Sequence, residues 1–410
     1  MTAPNRRPGL YAIQTDLGLP DLDPAEPLTF PLPEYAARRE RFRKAMAARN
    51  LDVLLVYSIH SQFYLYGYDM SAGATMPYAV IIADADGAPT AFLRNTLVPP
   101  VSRNPLLPDI RSYDEPFHDD NAFQTVKLLG ELGLLTGKRI GIETRCHQLS
   151  AHNYHLIREE IEKGGGIVVD ASDLVPELRF VKSPAEVDMM RSAGKLYDVF
   201  MGTALAAMKP GVRESDVNAE GLYAVHSAGG DDVAQPLIIM PNALSKLHWL
   251  PPSRRRLVAG DSYFVEAAGC YNRYHAVGGR TMFCGDEAPQ HVADAYARAW
   301  EAMDITRDLL KPGAVAEDIA RAVMAKRDIQ PHEAFYAAYS IGIGFRYQWH
   351  EDLMLRIGDQ HVLQPGMTLS VFGFGTVGEC FAVAAEPVVI TETGYEDLSA
   401  IPRGNLQVTG

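Results

Sequence analysis

Apolar runs alternate with amphipathic stretches along the first half of the chain. The run Leu51–Tyr57 is apolar throughout, as expected for a buried strand of a parallel or mixed sheet. Tyr35, Phe42 and Met46 fall on one face of a helix predicted over Pro33–Arg49. Further strands are predicted at Pro77–Gly87, Thr90–Leu93, Lys138–Glu143 and Gly166–Ser172, and helices at Phe123–Leu132 and Ser150–Lys163. This alternation predicts an α/β domain over residues 34–180.

Two regions of the first half do not follow this alternation. Residues 1–33 are proline-rich with little periodicity, which predicts an extended N-terminal arm. The segment Ser61–Asp69, SQFYLYGYD, is rich in aromatic residues and contains a turn residue, Gly67, near its end. It has two interpretations. It is either an edge strand whose tyrosines join the core, or a binding lip formed by Tyr66, Tyr68 and Asp69.

The second half begins with a helix signal and then repeats itself. Ser183–Glu186, SPAE, is a capping box with proline at the first helical position, so a long helix is predicted from there. Ala207–Val217 and Leu310–Ile319 both contain a helix end, a KPG stop and an acidic start to a second helix. Two related halves predict a pseudo-symmetric domain over residues 181–410, with a cleft where the halves meet.

The segment Gly260–Gly285 combines apolar strands with an unusual density of polar groups. The runs Ser262–Ala268 and Thr281–Cys284 predict two adjacent strands. Glu266 lies within the apolar sequence VEAAGC, where no alternating polar face accommodates it. Burying a carboxylate costs several kcal/mol unless it is paired, so Glu266 is either retained for chemistry or held in an ion pair.

Composition limits the class of protein. The chain has 410 residues, 47% of them hydrophobic, and a formal net charge of −13, which disfavours nucleic acid and anionic lipid as partners. The four cysteines have neither CxxC spacing nor a disulfide pattern. Without a signal peptide or an apolar run of ~18 residues, the sequence predicts a cytoplasmic enzyme-like protein with no membrane partner.

The ordered motifs together resemble the pita-bread superfamily, which includes creatinase, aminopeptidase P and prolidase. The duplicated KPG helices, the strand VEAAGC, LQPGMTLS and VVITETGYEDLS carry this resemblance across essentially the whole chain. It implies a creatinase-type N-terminal α/β domain followed by a pseudo-symmetric pita-bread domain. The fold serves peptidases, other hydrolases and binding proteins, so it does not by itself fix the function.

The resemblance also implies that the usual metal site is missing. Metallopeptidases of the superfamily use two Asp, one His and two Glu as ligands of two metal ions. The first position falls at Glu266, and the other four fall at residues without a donor side chain: Val277, Ile341, Phe372 and Ala385. A divalent ion requires several converging donors, so we expect no metal and no other cofactor.

Two metal-independent hydrolases of the superfamily are the nearest resemblances. Creatinase has a catalytic His at the place of His248, but its catalytic Glu positions fall on Gly279 and Phe372. Ectoine hydrolases carry FEIAGCYxRYHCPLxRT, which resembles FVEAAGCYNRYHAVGGRT here, and their proposed catalytic Glu matches Glu266. The segment Tyr339–Asp352 is similar to theirs as well. The implied activity is metal-independent hydrolysis of a C–N bond in a small zwitterionic, amidine or guanidino compound.

Such a reaction requires a carboxylate that attacks the carbon or deprotonates a water molecule, and Glu266 is the candidate for this role. His248 is the candidate acid or base, since the pKa of histidine lies near neutrality. The alternative for His248 is a loop histidine that caps backbone groups. Other readings of the activity are a creatinase-like amidinohydrolase and an Xaa-Pro peptidase-like enzyme.

The remaining candidates concern substrate binding. Arg273 and Arg280 either clamp a substrate carboxylate or neutralise Glu266. Tyr274 and His275 point to opposite faces of a strand, so at most one of them lines the cleft. Further candidates are Trp349 and Tyr66, as stacking surfaces or core residues, and the polar side chains of His350, Asp69, Glu379 and Glu386.

The expected partners are a small-molecule substrate and a second copy of the chain. The resemblance implies a homodimer in which the N-terminal domain of one subunit closes the cleft of the other. A different class remains open, because some pita-bread relatives have lost catalysis and bind peptides or proteins. A binder of that kind would also lose Glu266, His248 and the neighbouring Arg-Tyr-His cluster, which this chain retains.

Overall fold

A computed structural model describes residues 28–69, 80–113, 120–242, 251–327, 336–403 and the backbone of 406–408. The chain divides into two compact units, one ending at Arg179 and the other beginning at Phe180. We refer to them as the N-terminal and C-terminal domains. The first 27 residues of the predicted arm lie outside the described residues.

The N-terminal domain is built on a six-stranded mixed sheet in the order β4-β3-β2-β1-β5-β6. Its strands are β1 (Val53–Val56), β2 (Val80–Asp84), β3 (Pro89–Arg94), β4 (Asp109–Tyr113), β5 (Arg139–Ile142) and β6 (Ile167–Asp170). Its helices are α1 (Leu32–Ala48), α2 (Ile59–Tyr66), α3 (Val98–Val101), α4 (Asp120–Glu131), α5 (Ala151–Lys163) and α6 (Leu174–Phe180). The predicted α/β architecture is confirmed, because apolar strands alternate with helices as the pattern indicated.

The aromatic segment after β1 is a helix, so its interpretation as an edge strand is wrong. Helix α2 covers Ile59–Tyr66 and ends at Gly67, which has the left-handed φ of 60° that commonly terminates helices. Seven of its eight residues are buried, so the helix has no polar face that would reveal its period. The Glu143 carboxylate accepts hydrogen bonds from the Ser58 N–H and the Ser61 hydroxyl and thereby caps the first turn.

The C-terminal domain is built on a nine-stranded sheet whose main order is β11-β10-β12-β13-β9-β8-β7, with β14 beside β13 and β15 beside β9. Its strands are β7 (Ile238–Pro241), β8 (Ser262–Tyr271), β9 (Tyr274–Cys284), β10 (Ala338–Phe345), β11 (Gln348–Met354), β12 (Thr368–Val377), β13 (Cys380–Ile390), β14 (Tyr395–Asp397) and β15 (Leu406–Val408). Its helices are α7 (Pro184–Ala207), α8 (Glu214–Ser227), α9 (Gln290–Arg307) and α10 (Ala316–Arg327).

The predicted duplication is visible in the backbone hydrogen bonds. The Gly211 N–H donates to Leu257 O, and the Gly313 N–H donates to Leu363 O in the other half. Both glycines have positive φ angles, 83° and 86°, so each KPG stop ends its helix with the same left-handed residue. The two halves therefore place α7 and α8, and α9 and α10, in corresponding positions beside the sheet.

One face of this sheet is covered by α7 and α9, which approach the strands at glycines. A Cβ atom on Gly269 of β8 would lie 2.1 Å from the Ala193 carbonyl oxygen of α7. A Cβ atom on Gly375 of β12 would lie 2.0 Å from the Ala295 carbonyl oxygen of α9. Side chains of the opposite parity on these strands point to the other face. None of the helices in the described part of the chain combines the length and apolar character needed to cross a bilayer.

The predicted strand pair at the centre of the chain is confirmed as the hairpin β8–β9. The two strands pair in continuous register from Ser262 opposite Phe283 to Tyr271 opposite Tyr274. A two-residue turn joins them, and both of its residues, Asn272 and Arg273, have positive φ angles, of 48° and 68°. This pattern suits a tight hairpin turn that follows the strand twist.

Candidate functional site

Glu266 lies in the middle of β8 on the sheet face opposite α7 and α9. Val265 and Ala267 on either side of it belong to the core packed against α7, so alternation turns Glu266 to the other face. In the sheet Glu266 is opposite Gly279, Gly279 is opposite Ala385, and Ala385 is opposite Phe372. These four residues form one row across β8, β9, β13 and β12.

Among the residues that the structure describes, the Glu266 carboxylate has one hydrogen-bond partner. The Tyr339 hydroxyl of β10 donates to Oε1 of Glu266 at 2.9 Å, and both residues are buried. Oε2 of Glu266 is buried without a partner among the described residues. Burial raises the pKa of Glu266 to about 8, and the Tyr339 hydrogen bond acts in the opposite direction. The carboxyl group therefore titrates close to neutral pH, where a group that exchanges protons is most effective.

The surroundings of Glu266 are apolar and aromatic. The Phe372 ring lies 5.2 Å from the Tyr339 ring and is stacked on Phe374, with 5.9 Å between those centroids. Tyr336 contacts Phe372 edge-on at 5.6 Å. Opposite Glu266, Gly279 has no side chain because the Phe264 ring fills that space, and a Cβ atom there would lie 2.6 Å from the ring. Few charges or dipoles reach the carboxylate, which explains its raised pKa.

The donor groups at this face do not fit a metal ion. Of the residues at the expected ligand positions, Glu266, Phe372 and Ala385 share the row described above, and only Glu266 carries a donor. Within the described ranges, no three His, Cys, Asp or Glu side chains come together as a set that could hold a metal ion. A single carboxylate beside a tyrosine and a phenylalanine lacks the converging oxygen and nitrogen ligands that divalent ions require.

Arg280 is not the partner of Glu266, and the interpretation of Arg280 as its counter-ion is wrong. Arg280 is opposite Val265 and points to the helix-covered face. Its guanidinium donates to Oε1 of Glu386 at 2.5 Å and to the Ala385 carbonyl at 3.0 Å, and it lies 5.2 Å from the Trp300 ring centroid. The Arg280 and Glu386 side chains are 0% and 7% exposed. The structure thus places both predicted substrate-binding residues in a buried ion pair behind the sheet.

Tyr274 and His275 point to opposite faces of β9, as predicted, but both are engaged in the fold. The Tyr274 hydroxyl donates to Oε1 of Glu186 in the first turn of α7 at 2.8 Å. The buried His275 accepts a hydrogen bond from the Ala234 N–H at Nε2, and its Nδ1 lies 2.8 Å from the Arg273 carbonyl oxygen. Burial lowers the pKa of His275 to about 4, so the ring is neutral at physiological pH.

Arg273 and Glu379 lie at strand ends that are distant from Glu266. Arg273 occupies the β8–β9 turn, six residues along β9 from Gly279, which corresponds to about 20 Å of extended strand. Its guanidinium lies 5.8 Å from the Phe345 ring. Glu379 is exposed in the turn between β12 and β13. The sheet register therefore does not bring either residue to the carboxylate.

Trp349 and His350 lie on β11 next to Tyr339. Trp349 is 1% exposed, so its ring belongs to the core and presents no open face for stacking. A side-chain hydrogen bond with Trp349 partly offsets the strong rise that burial causes in the pKa of Tyr339. The His350 ring contacts the Tyr339 ring edge-on at 5.9 Å, and its buried Nδ1 has no hydrogen-bond partner among the described groups. Of the predicted binding residues in the C-terminal domain, these two lie nearest to the Glu266–Tyr339 pair.

Two predicted residues belong to the N-terminal domain and one lies outside the described residues. Tyr66 is buried in α2, and its hydroxyl donates to the Gly87 carbonyl at 3.4 Å, which fits a core tyrosine rather than a lip. Asp69 is exposed just after the helix. His248 falls within residues 243–250, which the structure does not describe.

Comparison with known proteins identifies the family. The profile of metallopeptidase family M24 matches residues 188–392, which is half of the 410-residue chain. The chain belongs to family M24. The profile of the creatinase/prolidase N-terminal domain matches residues 38–181, so this M24 member has the two-domain arrangement of the pita-bread superfamily. Family membership does not by itself supply a metal donor set, and none is found around Glu266 in the part of the chain that the structure describes.

The relatives of this M24 member include different kinds of hydrolase. An ectoine hydrolase of Halomonas elongata is 29% identical over 92% of this chain and 98% of its own length. A probable dipeptidase PepE of Mycobacterium tuberculosis is 30% identical over 58% of this chain and 63% of its own length. The crystal structure of dipeptidase PepE from Mycobacterium ulcerans has a TM-score of 0.77 and 22% identity, and it covers 93% of this chain and 100% of its own. The fold and the hydrolase family are thus established.

Tyr339 is the site residue that sequence reasoning assigned no role. It lies in AYSIGIGF, an apolar strand whose other residues are small or aliphatic apart from Ser340 and Phe345. A phenol in such a strand requires a hydrogen-bond partner, which is the signal that could have identified it.

Proposed function

We propose that this M24 member is a metal-independent hydrolase of a non-peptide C–N bond in a small zwitterionic, amidine or guanidino compound. The observation that carries the proposal is the buried carboxylate of Glu266, with Oε1 bonded to Tyr339 and Oε2 without a described partner. Glu266 occupies one of the expected metal-ligand positions, but the described residues around it do not provide the further donors that a metal ion needs. A hydrolase without a metal needs such a carboxylate.

Two routes are chemically available to Glu266. As a general base it removes a proton from water while the water oxygen bonds to the substrate carbon. As a nucleophile it bonds to that carbon itself, and water later releases the product. In both routes the breaking C–N bond needs a proton on nitrogen, and His248 is the proposed donor. A mass increase of the intact protein in the presence of substrate distinguishes the nucleophilic route from the general-base route.

The substrate class rests on the surroundings of Glu266 and on similarity. Phe372 and Tyr339 offer aromatic surface beside the carboxylate, and a flat, delocalised cation such as an amidinium is attracted to such surface. The similarity to an ectoine hydrolase over 92% of the chain supports a small non-peptide substrate. A cationic substrate also stabilises the ionised carboxylate and favours its reactive form.

The experiment that tests the proposal is a turnover screen read by mass spectrometry. Cyclic amidines, guanidino acids and N-acyl amino acids are incubated with the purified protein, and Glu266→Gln serves as the blank. We expect hydrolysis of at least one amidine or guanidino compound by the wild type only. Saturable binding without turnover of any compound would instead favour a binding protein that has lost catalysis.

A peptidase is the second candidate, because PepE is 30% identical over 58% of this chain. Dipeptides, including Xaa-Pro dipeptides, therefore belong in the same screen, with and without added Mn²⁺ or Co²⁺. Hydrolysis of dipeptides that depends on the added metal would replace the first proposal with this one.

We predict that the activity is insensitive to chelators. The reason is the residue set at the expected ligand positions, in which Val277, Ile341, Phe372 and Ala385 offer no donor side chain. Elemental analysis of the purified protein should give well under one transition-metal ion per chain, and dialysis against EDTA should leave the rate unchanged. A metal-dependent M24 peptidase treated in parallel controls for complete chelation. Two tightly bound ions per chain would contradict the prediction.

We also propose a homodimer, on the family resemblance alone. The aromatic segment Ser61–Asp69, interpreted above as a possible binding lip, does not support the dimer further, because Tyr64 and Tyr66 are buried within their own domain. Light scattering at micromolar concentration should give twice the chain mass of 45.0 kDa. A species of one chain mass that turns over substrate at full rate would refute the dimer as a requirement for activity.

A further inference from the structure

The contact between Tyr339 and Glu266 joins two chain segments that are far apart in sequence. Tyr339 lies on β10, Glu266 lies on β8, and 73 positions separate them. The hydroxyl and the carboxylate meet at 2.9 Å in an interior where both residues are buried. The bond uses only one carboxylate oxygen, while the other is buried and has no hydrogen-bond partner among the described groups.

We infer that Tyr339 is a positioning residue for Glu266, which holds Oε1 by its hydrogen bond and leaves Oε2 as the oxygen that reacts. The inference rests on the proposed function, since it assigns roles within the same site. A carboxylate with one oxygen fixed has a defined orientation, and its free oxygen keeps lone pairs available for a proton or a carbon atom.

The Tyr339 ring is itself held on several sides. Phe372 packs on it at 5.2 Å, His350 contacts it edge-on at 5.9 Å, and Tyr336 lies at 6.2 Å. Such packing restrains the Tyr339 ring, so its hydroxyl points in a defined direction. An unpacked ring would not hold the hydroxyl in place. Because the hydroxyl donates to Glu266, it stabilises the ionised form of the carboxylate against the effect of burial.

Few other titratable groups face Glu266 in the described structure. From β10 and the segment before it these are Tyr339 and Tyr336, and from β11 it is His350, whose ring contacts the Tyr339 ring edge-on. The adjoining strand positions on β7 and β9 are Ile238 and Gly279, which do not titrate. Arg280 points to the other face, as described above. In the described structure, burial and the Tyr339 hydrogen bond therefore govern the ionisation of Glu266.

The chemistry at Oε2 balances in both routes. In the general-base route an O–H bond of water breaks, the proton bonds to Oε2, the water oxygen bonds to the carbon of the C–N group, and the C=N π pair moves to nitrogen. In the nucleophilic route Oε2 bonds to that carbon and the C=N π pair again moves to nitrogen. In both routes a nitrogen takes up a proton and leaves with the electron pair of the breaking C–N bond, and in the nucleophilic route water then cleaves the bond between the carbon and Oε2 and restores the carboxylate. Both routes begin from the ionised carboxylate, so the rate rises with pH as Glu266 loses its proton.

Tyr339→Phe tests the inference because it removes the hydroxyl and keeps the ring. We expect kcat/KM at pH 7 to fall about 10- to 100-fold, the size expected when a charged group loses a hydrogen bond, and the acid limb of the pH profile to move about one to two units upward. Tyr336→Phe is the matched control, since it removes a neighbouring hydroxyl that makes no described hydrogen bond with Glu266. Its acid limb should stay at the wild-type position.

A second readout does not depend on turnover. The carboxyl band of Glu266 is titrated by infrared difference spectroscopy, with Glu266→Gln as the blank, and its midpoint should be higher in Tyr339→Phe than in the wild type. Equal midpoints in folded protein, or equal shifts in the two tyrosine variants, would overturn the inference. A shifted midpoint supports it even if no tested compound is hydrolysed, a result that would count against the proposed function alone.

Discussion

Glu266→Gln is expected to lower kcat by a factor of at least ~10²–10⁴, the range typical of losing a general base, and by more if the carboxylate attacks the carbon. The amide keeps the shape of the side chain and can still accept the Tyr339 hydrogen bond at Oε1. It lacks a charge and a basic oxygen, so neither route remains available. Steady-state kinetics on the substrate found in the screen, corrected for the folded fraction, measure the effect.

The same variant should also be more stable than the wild type at alkaline pH. Burial raises the pKa of Glu266 from 4.5 to about 8, so the folded state holds a proton that the unfolded state has lost. Wild-type stability therefore falls as pH rises from about 4.5 to 8, by up to about 5 kcal/mol, because each unit corresponds to ~1.36 kcal/mol. Glutamine carries no proton to lose, so urea unfolding of Glu266→Gln should lack this contribution to the pH dependence, while other buried carboxyl groups such as Glu143 keep theirs.

Glu392→Gln, at an exposed position, controls for the substitution itself and should change neither rate nor stability. The prediction fails if Glu266→Gln unfolds early at every pH and yet turns over normally per folded molecule. That result would assign Glu266 a structural role instead of a catalytic one.

Local chemistry made much of the fold predictable from the sequence. The capping box at Ser183–Glu186 is present, with Glu186 and Ser183 each bonded to the backbone of the other, and α7 starts at Pro184 as expected. The two KPG stops end equivalent helices because each requires a glycine with positive φ. Glu266 could be singled out because a carboxylate in an apolar strand is costly in any fold. Each of these signals is formed by residues that are neighbours in the sequence, so each can be recognised without knowing the fold.

Sequence-based predictions of side-chain roles fail where the residue that a side chain contacts is distant in the chain. Arg280 lies on the strand next to Glu266, which suggested that the two residues pair. Its actual partner, Glu386, is 106 positions away in the sequence. Only the pairing of β9 with β13 brings them together. The role of Tyr339 depends in the same way on the fold of the sheet, which brings β10 close to Glu266 on β8 although 73 positions separate the two residues. Helix α2 was misread because almost all of its residues are buried, which removes the polar positions that define a helical period.

Glu386→Gln is expected to destabilise the protein by ~3–5 kcal/mol, because it leaves the buried guanidinium of Arg280 without its counter-charge. Both side chains are almost fully buried, and their closest atoms lie 2.5 Å apart. The remaining acceptors of Arg280 among the described residues are the carbonyls of Gly279, Ala385 and Ile401, which carry no formal charge. Urea unfolding at pH 7 measures the change in the free energy of unfolding.

The control for this prediction is Glu396→Gln, which breaks the ion pair of Glu396 with Arg191. The closest atoms of that pair lie 2.8 Å apart, but its side chains are 46% and 40% exposed, so its loss should cost ~1 kcal/mol or less. Turnover per folded molecule should be unchanged in both variants, since Arg280 and Glu386 lie on the sheet face opposite Glu266. A Glu386→Gln protein with wild-type stability and a raised KM would instead return Glu386 to the substrate site that the sequence first suggested.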